Sequence, residues 1–208
     1  VLAPSISHHI FDSNNNLNYD IKLNAHSISN DQSYDIKRWS GLGQINKKFN
    51  LENVVLEADA NLGLDLYSIQ GRPSTDTNDN KYIDRFSSGF SLAASNQYGI
   101  INEDIGVVIE PKIQFSSVIS SDRTDEVPNR DSAEFRLDQA NLFLNNQYQG
   151  RDNIQQSDRI NAGITTNIMT EGLGELNFFI GQSQRISGTQ KNISTANNDR
   201  PVSYTHLT

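Results

Sequence analysis

The residues best suited to chemistry in this chain are three carboxylates, Glu57, Asp59 and Asp65, separated by even numbers of residues. In an extended strand, residues two apart share a face, so the set could act as a general acid and base held side by side. A wall facing water needs the same arrangement, and the segment supplies no nucleophile, so the solvated wall is the preferred reading. His8 and His9 are neighbours in sequence and point to opposite faces, while His26 stands apart, so a shared metal is not expected. Asp76, Asn78 and Asn80 take the first, third and fifth places of a calcium loop. The pattern then fails, with Lys81 at the turn glycine and Ser87 at the bidentate glutamate. Gly89-Phe90-Ser91-Leu92-Ala93 lacks the second glycine of a nucleophile elbow. No catalytic, cofactor or metal site emerges, and the chain is not expected to be an enzyme.

The elements that must position these residues are strands. From residue 56 to 66, Leu56, Ala58, Ala60, Leu62, Leu64 and Leu66 alternate with Glu57, Asp59, Asn61, Gly63 and Asp65. One face is aliphatic and the other polar, over the span of about 9 to 11 residues that a tilted strand needs to cross a bilayer. The same period appears at 17–25, where Leu17, Tyr19, Ile21, Leu23 and Ala25 oppose Asn18, Asp20, Lys22 and Asn24. It recurs at 85–94, at 105–115, at 160–168 and at 175–181, with weaker strands over 1–11 and 34–47. Pro111 interrupts one of these, because proline donates no ladder hydrogen bond.

The connections are of two kinds that take turns. Residues 12–16, 50–53, 96–99 and 170–174 read as short turns rich in Asn, Asp and Gly. Residues 71–81, 118–158 and the stretch after 187 read as long polar loops, and only 29–33 is short where a long one is due. Such alternation is expected of an outer-membrane β-barrel, with long loops outside and tight turns in the periplasm. A secreted sandwich or adhesin would also alternate, but soluble strands average about 5 to 6 residues, half the length read here.

Composition agrees. Of 208 residues only 35% are hydrophobic, too few for the core of an ordinary globule of this size. A formal charge of −8 argues against nucleic acid as a partner. Cysteine is absent, so no disulfide or thiolate metal site can form within the chain. Val1 is not an initiator and no signal peptide is visible, so the chain is expected to be an internal fragment. Residues 201–208 (PVSYTHLT) break the pattern and are expected to be a non-native tail, leaving 1–200 as a partial barrel domain of about eight strands.

Residues 108–186 resemble the LptD family of lipopolysaccharide-assembly proteins through a string of local matches. These are IEPKIQF at 109–115, PNRDS at 128–132, NLF at 141–143, NNQYQGRD at 145–152, RINAGIT at 159–165 and FFIGQSQR at 178–185. IKRW at 36–39 and LGLDLY at 62–67 are similar more loosely. The matching motif positions are Pro111, Asp131, Ser132, Asn141, Leu142, Phe143, Gly150, Asp152, Arg159 and Gly181. Gln147 and Asn153 stand where the family usually has arginine, which puts any ion pair at those two positions in question.

The resemblance implies transport without covalent chemistry: lipid A enters the bilayer through a gap between strands while the sugar chain passes through the lumen. It implies lipopolysaccharide, outer-membrane lipid, an LptE-like plug lipoprotein and periplasmic Lpt bridge proteins as partners, in the outer membrane of a Gram-negative bacterium. The inward set of Asn18, Asn24, Glu57, Asp59, Asn61, Asp65, Gln114, Asn161 and Asn177 would give the sugar a wet path. An acidic lumen is poorly matched to an anionic substrate, and bound divalent cations or loop arginines would have to offset it. The Leu142–Phe143 pair inside the longest loop is too apolar for solvent, so that loop is expected to fold into the lumen as a plug or cap, or to form a short surface element. A porin or TonB-dependent uptake barrel would share the strand pattern without the PNRDS, NLF, GRD order. A secreted or outer-membrane hydrolase would need a Ser, His and Asp set that the sequence lacks.

Overall fold

The structure, a computed structural model, describes residues 4–12, 15–28, 35–70, 80–102, 105–121, 126–129, 131–134, 137–146, 148–170, 174–188 and 204–207. These form one antiparallel sheet and a small strand pair. In chain order the strands are β1 (Ser5–Asp12), β2 (Leu17–Ile28), β3 (Asp35–Leu51), β4 (Val54–Gln70), β5 (Asn80–Ser95), β6 (Tyr98–Ile101), β7 (Ile105–Ser120), β8 (Ala133–Glu134), β9 (Tyr148–Gln149), β10 (Ser157–Thr170), β11 (Gly174–Gly188) and β12 (Tyr204–Leu207). The main sheet runs β1-β2-β3-β4-β5-β7-β10-β11-β12, with β6 also paired to β7, and β8 pairs only with β9. Each strand of the main sheet therefore lies beside its sequence neighbour, as in an up-and-down barrel wall. The sheet ends at β1 and β12 without closing.

Strand length follows from the uninterrupted period of two. β4 runs for 17 residues, roughly 55 Å at the usual rise and well beyond the hydrocarbon of a bilayer, and keeps its alternation from Leu56 to Leu66. Leu62, Leu64, Phe86, Leu92, Ile113, Phe115, Ile164 and Ile180 stand exposed on the outer face. Leu64 lies opposite Phe86, Leu92 opposite Phe115, and Ile164 opposite Ile180, which makes the apolar band continuous across strands. Such a band is untenable in water and fits a hydrocarbon surround. Among the described residues no helix is long and apolar enough to cross a membrane.

One expected turn is misplaced. Residues 96–99 do not reverse the chain: β5 and β6 pair with β7 in the same register, Ser95 opposite Lys112 and Tyr98 opposite Ile109, so they are two parts of one strand. The reversal comes after Ile101, where the Asn102 N–H donates to the Ile105 carbonyl at 2.8 Å. Pro111 explains the break between the parts. The Asn96 N–H donates to the Pro111 carbonyl at 3.3 Å, but Pro111 has no N–H to return to Asn96, so the ladder lapses there. The reversals read at 12–16 and 170–174 fall between β1 and β2 and between β10 and β11, and that between β3 and β4 tightens to Glu52–Asn53, with Glu52 at φ 42°. The ten strands of the main sheet thus fill nine positions, eight of them within residues 1–200 as expected and the ninth, β12, beyond them.

Candidate functional site

The segment between β7 and β10 leaves the sheet edge and returns across its polar face. Arg38 on β3 holds it at one end, with its Nη1 donating to Asp131 at 2.6 Å and to Asp152 at 2.8 Å. Tyr67 on β4 donates its hydroxyl to Asp152 at 3.1 Å. Arg85 on β5, wholly buried, bonds Asp65 at 2.7 Å, the Asp152 carbonyl at 2.6 Å and the Arg151 carbonyl. Arg151 closes the ring by reaching Asp65 at 2.9 Å. Three arginines and three aspartates therefore balance, and each buried charge has a partner, the condition under which burial of ions is tolerated.

The loop side of this cluster is preorganised by its own backbone. Asp131 accepts from the N–H groups of Arg151 (3.0 Å) and Asp152 (2.9 Å), and the Asp131 N–H donates back to Asp152 at 3.0 Å. The Ser132 hydroxyl accepts from the Asn153 N–H at 2.9 Å. Gly150 makes the approach possible: its φ is +77°, and a Cβ there would lie 2.3 Å from the Asp131 carbonyl oxygen. Burial raises the Asp131 carboxyl, but the Asp152 N–H, Arg38 and the Arg151 N–H outweigh it and hold Asp131 well below the usual carboxylate range. Because the folded-state value is depressed, this stabilisation is complete above the ordinary Asp value of about 4 and is lost as pH falls through the lowered one. Hydrogen exchange at the amides of Arg151 and Asp152 is expected to stay constant from neutral pH down to about 5 and, corrected for intrinsic rates, to accelerate below about 4.

A second anchor lies over β7, β10 and β11. Leu142 is 1% exposed and packs with Leu137 and Phe179, with Phe143 alongside. Gly163 and Gly181 leave the room: a Cβ on Gly181 would meet Leu142 at 2.5 Å, and one on Gly163 would meet the Phe179 ring at 2.9 Å. Gln114 donates to the Phe143 carbonyl at 2.9 Å and accepts from Asn161 at 2.8 Å. Arg159 donates to the Asn145 carbonyl at 2.6 Å. The Asn141 side chain accepts from the Asp138 N–H at 2.9 Å and shapes the tight turn that aims Leu142 inward. Leu142→Ala is expected to cost about 2–5 kcal/mol, seen as a lower denaturant midpoint in detergent.

Between the anchors the sheet and the returning segment enclose a cavity of about 1290 Å³. Its lining includes four carboxylates (Asp20, Glu57, Asp59, Asp131) and four cations (Lys22, Arg38, Lys112, Arg151), so the charges balance. The acidic face expected from the sequence is thus offset by cations, the loop's Arg151 among them. Glu57 accepts from Asn46 at 2.8 Å and lies 3.4 Å from Lys112, while Asp59 accepts from Gln44 at 2.6 Å and from Asn145 at 2.7 Å. Asn61 lines the same space.

Several expected positions take other roles. Asp65 is not part of a solvated wall; it is 0% exposed between two arginines. Gln114 and Asn161 are likewise buried under the returning segment rather than wet. At the loop end the inner face turns apolar, with Ile36, Tyr67, Ile69, Ile83 and Val127 forming a dry cluster. His26 does not stand alone, since its ring meets Arg38 at 3.4 Å, and among the described residues no cluster could hold a metal ion. Asp76, Asn78 and Gln147 lie outside the described residues, and Asn80 opens β5. At Asn153 no ion pair forms; the neutral side chain is buried and the neighbouring Arg151 makes the pair instead. The ring arginines Arg38, Arg85 and Arg151 were not expected from the sequence. Their signal was parity for Arg85, which shares the inward face of Ser87 and Ser91, and proximity to the GRD match for Arg151.

The model of the family LptD, described as LPS transport system D, matches residues 3–205. No curated protein matches the chain.

Proposed function

The chain belongs to the LptD family of lipopolysaccharide transport proteins of the outer membrane, and from that premise we propose that its polar sheet face is the wall along which the saccharide part of lipopolysaccharide travels. The observation behind this is the charge-balanced polar cavity bounded by the returning segment. A sugar chain exchanges water for wall groups at little cost only where donors and acceptors are dense, and the Gln44, Asn46, Glu57, Asp59 and Asn61 cluster is such a place. The apolar outer band meets lipid, and lipid A leaves sideways into the outer leaflet through a gap between strands. In this reading the long connections face outward and the short turns face the periplasm of a Gram-negative cell. Lipopolysaccharide and outer-membrane lipid are the cargo and solvent, and a plug lipoprotein like LptE and the periplasmic Lpt bridge are the partners, all on the support of family membership. The reading involves no covalent chemistry, and residues 1–200 supply its barrel domain, with β12 as a short strand added at the edge of β11.

Filling the cavity tests it. Gln44→Trp in the full-length protein is expected to slow delivery of lipopolysaccharide to the cell surface several-fold at unchanged protein level, whereas Leu62→Trp on the lipid face leaves delivery intact. Equal delivery by both variants would remove the cavity from the path.

A further inference from the structure

Arg159 differs from the other buried arginines of the polar face. It is 1% exposed, yet among the described residues no carboxylate makes an ion pair with it. Its Nη1 donates to the Gln155 side chain at 3.0 Å, and its Nη2 donates to the carbonyls of Asn145 at 2.6 Å and Leu144 at 3.4 Å. Its Nε is buried with no partner at all. Directly opposite in register, on β11, stands a second arginine, Arg185. Like charges placed across a strand pair are destabilising, and a buried cation satisfied only by neutral carbonyls loses most of the stabilisation a counter-ion would give. A buried guanidinium with a vacant donor and a second arginine directly opposite in register fit a ligand bearing several anionic oxygens.

The segment at 144–145 is placed to occlude such a site. Leu144 and Asn145 line the cavity and at the same time give their carbonyls to Arg159, so they stand between the cavity and the guanidinium. That segment is fixed by the Leu142 contact with Phe179 and by the Gln114 bond to the Phe143 carbonyl. We propose that Arg159 and Arg185 form an anion-binding site in the wall, held closed by the Leu144 and Asn145 carbonyls, which a phosphate or carboxylate group of the cargo displaces as it passes. The inference rests on the transport reading for its cargo, while the site itself is defined by the two arginines and their cover.

Binding of small anions to the purified full-length protein separates the site from the cargo. Sodium pyrophosphate and sodium acetate serve as the phosphate and carboxylate probes, followed by calorimetric titration of wild type, Leu142→Ala, Gln114→Ala and each loosened variant combined with Arg159→Gln. Retained heat-modifiable migration in gels reports that each barrel is folded, and Gln114→Ala, the milder change, stands in should Leu142→Ala fail to fold. Loosening the cover raises the open fraction, so binding of one probe is expected to tighten about tenfold and to vanish with Arg159→Gln. Preference for pyrophosphate identifies a phosphate source, and preference for acetate a carboxylate source. Absence of binding in the loosened variants, or binding indifferent to Arg159→Gln, would overturn the site. Lipopolysaccharide delivery is scored separately in cells, so loss of the anion site leaves the transport reading standing, and failure of delivery to depend on the cavity leaves the anion result standing.

Discussion

Asp65→Ala is expected to destabilise the protein by about 3–5 kcal/mol, because it leaves the fully buried Arg85 and the largely covered Arg151 without their carboxylate. Asp65 is the only carboxylate partner of Arg85 and of Arg151 among the described ion pairs, and both Asp65 and Arg85 are fully buried. Removing it leaves a net positive cluster beneath the loop, and the simplest relief is for Arg151 to swing into the cavity and take the loop with it. The loss should therefore appear twice: as a lower guanidinium midpoint in detergent, and as new protease cutting beside Asn141 in intact cells, where the wild-type loop is expected to resist. Asp65→Asn keeps the shape and part of the hydrogen bonding, so it should be the milder variant. A Leu substitution at Arg85 together with Asp65→Leu removes both charges and is expected to recover part of the loss, as apolar replacement of buried ion pairs often does.

Gly150→Ala attacks the same anchor from the backbone. The position needs a left-handed conformation, φ +77°, and the added Cβ would fall 2.3 Å from the Asp131 carbonyl oxygen, which is backbone and cannot step aside as a side chain could. Strain at such a position costs on the order of 1–3 kcal/mol before the clash is relieved. Relief means separating residues 131 and 150, which also breaks the paired N–H donors on Asp131. Loop protection should fall sharply while the strand framework stays, so circular dichroism in detergent should keep its β signature as protease cutting rises. Unchanged protection would mean that the two loop ends are not held together through this contact.

Much of the framework was legible because it depends on one repeated physical rule. Alternation of Leu62, Leu64 and Leu66 with Asn61, Gly63 and Asp65 places one set on the outer face and the other on the inner one, and both placements hold. What the alternation could not show is where the inner face is wet. Tyr67 and Ile69 share the inward parity of Asp65, a visible sign that the face turns apolar toward the loop end, yet their cover, Val127, is 58 residues beyond Ile69 in sequence. The misplaced turn at 96–99 has a local cause: Asn96, Gln97 and Gly99 have the composition of a turn, and the effect of Pro111 appears only once its strand partner is known. The arginine and aspartate ring was beyond local reading, since Arg38 and Asp131 are 93 residues apart and a carboxylate on an inward strand position looks the same whether water or a guanidinium faces it. The family resemblance pointed at Asp131, Ser132, Gly150 and Asp152, and in the folded chain those four residues act together to close the loop on itself and onto β3 and β4.

The central claim is that saccharide moves along the inner face and lipid along the outer one. Photo-crosslinking in living cells tests it most directly, with a photoreactive residue placed at Gln44 or Asn61 on the inside and at Leu62 or Leu64 on the outside of the full-length protein. Adducts bearing lipopolysaccharide saccharide are expected from the inner positions and not from the outer pair. Silence at both inner positions, or saccharide adducts of equal yield from the outer ones, would contradict the account.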